Sequence, residues 1–249
     1  MAVKRNDSAV CFWQNGPGEI VCARFDDQVR QYWRNVAQPA LASADREVEM
    51  ALAATETDVS AVFEHADRVD QHQVTALGLG IALQSLWERQ LRRYLCAYVQ
   101  GDAAMRKKVE MAKWDQLLPL FEQFRGAPLR AFICFPDLDL LSLVGNVCRH
   151  GDGKTADLLW RSHPELWPYS QAHDHPDAAP PVEHMHLSTS LLSRLADSVT
   201  KFWEFVSYLH LENLLSKHPS VERRLPTLRA LHEVEIAHFN RTCSGIARA

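Results

Sequence analysis

The chain has 249 residues, 47% of them hydrophobic and 23% charged, with a formal net charge of −4. That is an ordinary globular composition, long enough to bury a full core, and it excludes a low-complexity chain. The slight acidic excess excludes the broad basic footprint of non-specific nucleic-acid binding, so any RNA contact has to be a local patch.

The first residues include Lys4 and Arg5, but the apolar stretch after them is too short for a signal peptide. The next motif, VCFWQ-NGPG-EIVCA, carries turn chemistry at Asn15, Gly16, Pro17 and Gly18 between two strand-like runs. It predicts a β-hairpin that pairs Gln14 with Glu19, Phe12 with Val21 and Cys11 with Cys22. The six cysteines form no CxxC pair, which argues against a zinc ribbon or a disulfide framework. Cys11 and Cys22 are expected to be reduced in a cytoplasmic protein.

After the hairpin the sequence reads as helix almost throughout. Asp26 and Asp27 open a short helix that Pro39 stops. Ser43 then starts a long Ala- and Glu-rich helix to about Gln71, and a second one runs from His72 to Val99. The most apolar run, ALGLGIALQSLW, lies in that second helix. It is interrupted by Gln84, ends before Glu88, and falls short of the about 20 residues that cross a bilayer. MRKKVEMAKWDQLLPLFEQF follows, with Pro119 as a kink. Asp137 opens DLDLLSLVGNVCRH, and Asp152 is the expected N-cap of the next helix. A Pro-, Asp- and His-rich loop precedes two C-terminal helices.

The expected fold is all-α, a compact helical bundle with a small N-terminal β-hairpin, in one domain. Its parts are the hairpin (1–25), the helical core (26–166), the Pro/His-rich loop (167–186) and the C-terminal helices (187–249).

The stretch with most chemical content is LVGNVCRHGDG, where a helix finishes on Asn146, Arg149 and His150 before Gly151. It resembles the R-N-x-x-x-H motif of the HEPN superfamily, all-helical domains found in RNases of toxin–antitoxin and antiviral systems. Asn146 matches the motif Asn and His150 the motif His, while Gly145 stands where the motif has Arg. The resemblance covers the helix from about Asp137 to His150 and the helical layout. It implies metal-independent RNA cleavage at a dimer interface, with His150 as general acid/base, Asn146 as its orienter and Arg149 as the cation facing the phosphate. Asn146 and His150 share a helix face, but Arg149 points about 100° away from His150. The same letters also read as a helix end without chemistry: Arg149 and His150 oppose the helix dipole, and Gly151 caps the turn.

WERQLRRYLCAYV and MRKK supply Arg89, Arg92, Arg93, Lys107 and Lys108 beside Trp87, Tyr94 and Tyr98. Cations among aromatics suit single-stranded RNA, whose bases stack on rings; the plainer reading is a solvated helix face. His163, His173, His175, His184 and His186 crowd the loop, and His232, Glu235 and His238 follow at helical spacing. Both sets read as ordinary histidines, so neither a metal nor a cofactor is expected.

The leading expectation is therefore a HEPN-like ribonuclease acting on RNA as a homodimer. The alternative is a catalytically inactive helical module that binds a partner protein, such as an antitoxin or defence component, or senses a ligand.

Overall fold

The computed structural model describes residues 13, 15–99, 101–168, 170 and 178–246; nothing below concerns the others. The described residues are helical with no strand. None of their helices is long and apolar enough to cross a membrane. Of the expected hairpin, Cys11 and most of the first strand lie outside the described residues. The second strand is instead a helical turn, α1 (Gly18–Cys22), entered through Pro17 with Glu19 in its first turn. Pro at a helix start and an acidic first turn are both favourable there, and they outweigh the strand preference of Ile20 and Val21.

Pro39 does not stop the next helix. α2 (Phe25–Tyr32) passes through a π-helical turn (Trp33–Ala37) directly into α3 (Gln38–Ala54). Pro39 sits at the second position of α3, directly after the π-helical turn, inside the continuous helical run. The break expected near residue 71 lies earlier, at 55–60. Thr55 and Thr57 bond back to the carbonyls of Leu52 and Ala54, and Asp58 accepts from the backbone and hydroxyl of Ser60. These short polar side chains compete with the helix for its own backbone groups. α4 then runs unbroken for 36 residues (Ala61–Cys96). α5 (Ala103–Met111), α6 (Trp114–Arg125), α7 (Phe135–His150), α8 (Lys154–Ser162), α9 (Thr189–Glu212), α10 (Pro219–Leu231) and α11 (Glu233–Ile246) complete the chain.

The chain divides into two compact units, each assembled from separate segments. Of the described residues, one takes those within 1–27, 87–136 and 198–249, and the other those within 28–86 and 137–197. The first has an aromatic core. Phe132 lies 4.6 Å from Phe202, and Trp203 lies 4.9 Å from Phe25, measured between ring centres. Trp87, Tyr94, Phe121 and Phe239 fill in around them, all fully buried. Buried Gln90 is satisfied on both sides, donating to the Phe25 carbonyl and accepting from the Trp203 indole.

The second unit packs Leu41, Leu83, Leu138, Leu141, Val144, Val147 and Leu159 in its interior. Trp160 and Trp167 meet edge to face at 5.6 Å. Asp152 does not cap α8: its carboxylate accepts from the Val182 amide at 2.9 Å and holds the loop strap instead.

In the first unit His232 is buried against Phe205 and Tyr208, and its Nδ1 has no partner. Burial holds its pKa below the usual 6.5, because the charged ring is costly there. The unfolded chain therefore binds the proton more readily. The stability this group contributes is present above pH 6.5 and is lost as pH falls toward the folded value. Thermal melts at pH 7.5 and 5.5 are expected to show a drop in Tm for the wild type, and a smaller drop for His232→Phe.

Candidate functional site at the end of α7

α7 presents Gly145, Asn146, Arg149 and His150 over its last turns. The helix ends at Gly151, whose φ of 74° is the left-handed conformation of a C-terminal cap, and its N–H bonds the Val147 carbonyl at 2.8 Å. Ending there leaves His150 exposed on the last turn, with no hydrogen-bond partner among the described residues.

Asn146 does not orient His150. Its amide nitrogen donates to the Thr155 hydroxyl at 3.2 Å, tying the end of α7 to the start of α8. Arg149 turns the other way, donating to the side-chain oxygen of Gln84 on α4 and, at 3.4 Å, approaching the Ser85 hydroxyl. Gly145 explains why Gln84 is there. A Cβ on this buried residue would lie 2.5 Å from the Gln84 Cβ, so α4 reaches α7 only because position 145 has no side chain. Gly145 and Arg149 are one turn apart on one face of α7, and both are spent on Gln84.

The cations expected to bind RNA are dispersed in role. Arg92 pairs with Glu88 at 2.7 Å and donates to the Ala112 carbonyl. Arg93 lies 5.4 Å from the centre of the Phe25 ring. Arg89, Lys107 and Lys108 are exposed. The rings that were to stack bases are core: Trp87 and Tyr94 are fully buried, and Tyr98 is half-buried. These positions supply charge without an aromatic platform.

His173 and His175 lie outside the described residues. His163 pairs with Glu165 at 2.9 Å, His184 is exposed, and burial together with nearby His72 lowers the pKa of His186. No three His, Cys, Asp or Glu among the described residues are placed to hold a metal ion, at the loop or at His232, Glu235 and His238. Cys22 and Cys148 are each pushed up to about 12 by burial, which keeps them as unreactive thiols.

The densest polar cluster was not anticipated. In the first unit Glu19 and Arg125, both buried, pair at 2.6 Å. Tyr98 donates to the same carboxylate at 2.6 Å, and so does the Gly16 amide at 2.9 Å. The guanidinium carbon sits 4.1 Å from the centre of Trp13 and 4.4 Å from that of Tyr98. Burial raises the pKa of both Tyr94 and Tyr98, so neither hydroxyl is a ready proton source. The one signal in the sequence is an arginine at the end of the apolar run LLPLFEQFR.

Compared with known proteins, the chain matches no family model, and no curated protein or solved structure matches it.

Two variants test this geometry. Gly145→Ala is expected to destabilise by about 1–3 kcal/mol in urea titration, through overpacking against Gln84. Adding Gln84→Ala should recover part of the loss. Arg125→Met, which strands the buried carboxylate, is expected to cost about 3–5 kcal/mol by the same measurement. Combining it with Glu19→Gln should cost less than Arg125→Met alone.

Proposed function

We propose that the protein is a catalytically inactive helical module that acts by binding a partner protein. The observation that carries this reading is the use made of the motif positions. An RNase of this kind needs an oriented imidazole and a cation beside the same phosphate. Here Asn146 holds Thr155, Arg149 holds Gln84, and Gly145 makes room for Gln84. Each has a structural task, and none faces His150 as a catalytic partner.

One observation favours the ribonuclease reading: the exposed His150 has no partner of its own and is open to a second chain that would bring a cation. The discriminating experiment is incubation of purified protein with total RNA and tRNA in the presence of EDTA, alongside His150→Ala. No cleavage above buffer by either protein is expected. Cleavage by the wild type that vanishes in the variant would establish a metal-independent RNase and overturn the proposal.

A further inference from the structure

α3 and α4 are joined to each other by two polar contacts, Asp45 to His72 at 2.8 Å and Glu47 to Arg68 at 3.2 Å. On either side of the second contact lie two clefts of about 570 and 490 Å³. They share Glu47 and Arg68, whose ion pair stands between them, and end to end they form one trough interrupted by that pair. Its α3 wall runs from Ala40 to Ala54, roughly 21 Å at the helical rise.

Three properties of this trough define what fits it. The first is its floor. Ala40, Ser43, Ala44, Ala51 and Ala54 recur at helical spacing on one face of α3, and small residues let another backbone approach closely. The second is its rim. Met50 on α3 and Val74 on α4 line it and are 65% and 69% exposed, and Phe63, 79% exposed, lies outside the clefts on the stripe of α4 that carries Val74; these are large apolar side chains of the kind that anchor an interface. The third is charge. Residues 45–74 carry eight carboxylates and two arginines, a net −6 in a chain whose total is −4. Asp67 and Asp70 fall on the same stripe of α4 as Phe63 and Val74, exposed and without partners among the described residues.

We propose that this trough binds a basic amphipathic helix of a partner protein, in the manner of a helix laid into a hydrophobic groove. The charge selects the occupant. RNA and anionic lipid are repelled by it, and a second copy would set one acidic rim against another. A helix with small or apolar residues toward the Ala floor and Lys or Arg toward Asp67 and Asp70 answers all three properties. The inference rests on reading the chain as a partner-binding module, and it names that partner's chemistry.

The test uses the full chain and fluorescein-labelled 18-residue peptides read by anisotropy. One peptide is an amphipathic Leu/Lys helix, one its Leu/Glu counterpart, and one a Leu/Lys scramble with no apolar face. Binding of the first alone is expected. It should weaken at least tenfold in Asp67→Lys/Asp70→Lys and in Ala44→Leu, with helicity unchanged by circular dichroism. Equal binding of the scrambled or glutamate peptide, or undiminished binding by the variants, would overturn the proposal. So would a dimer in sedimentation that Phe63→Glu dissolves, or a single-stranded RNA that displaces the peptide. RNA cleavage in the preceding assay removes the module reading without touching this result, while loss of peptide binding with no cleavage removes only this inference.

Discussion

The first unit depends on the ion pair between Glu19 and Arg125. Each charge is cut off from water, so each is tolerable only because the other is there. The carboxylate is further held by Tyr98 and the Gly16 amide, and the guanidinium lies between the faces of Trp13 and Tyr98. Close approach is required throughout. A Cβ at Gly16 would sit 2.5 Å from the Tyr98 ring, and one at Gly18 would be crowded by Tyr98 and Tyr94. A segment that begins far from α6 in the sequence is thus pinned to it, and α1 forms where an isolated peptide of β-branched residues would favour a strand.

That pairing also shows what the sequence conceals. The amphipathic runs gave the all-α class and the helix that became α7 directly, because apolar spacing is a local property, while the boundaries of α2, α3 and α4 fell elsewhere than expected. The hairpin misled because Asn-Gly-Pro-Gly serves a turn before a helix as well as one between strands, and nothing in the motif shows that Glu19 meets a residue 106 positions away. The helix break at 55–60 holds neither Gly nor Pro. It is made by side chains of Thr, Asp and Ser, whose effect depends on which backbone groups they reach.

The end of α7 teaches a related lesson. The letters Asn, Arg and His were legible, and so was the absence of the motif Arg. What no periodicity reveals is Gln84, 65 positions before Arg149 in the chain and in hydrogen-bonding contact with it. Once α4 is in place, the glycine is the contact point between two helices, and the arginine closes the same contact one turn later. The cap reading of Gly151 was also available from the sequence, since a glycine after a basic last turn is a local signal.

The π-helical turn at Trp33–Ala37 has a consequence for how this chain tolerates change in length. It holds one residue more than an α-turn, so it delays the helix by roughly 100°, one residue's rotation. With that delay, the Tyr32 hydroxyl reaches the Leu79 carbonyl at 3.1 Å while Leu41, nine positions on, is completely buried. A single-residue deletion here would restore a regular α-helix and be harmless to the backbone, yet it would turn one of those two side chains out of its place. The turn works as a phase setting between two stretches of helix, and a comparison of chains of this kind would have to align it as an inserted residue, not as a loop.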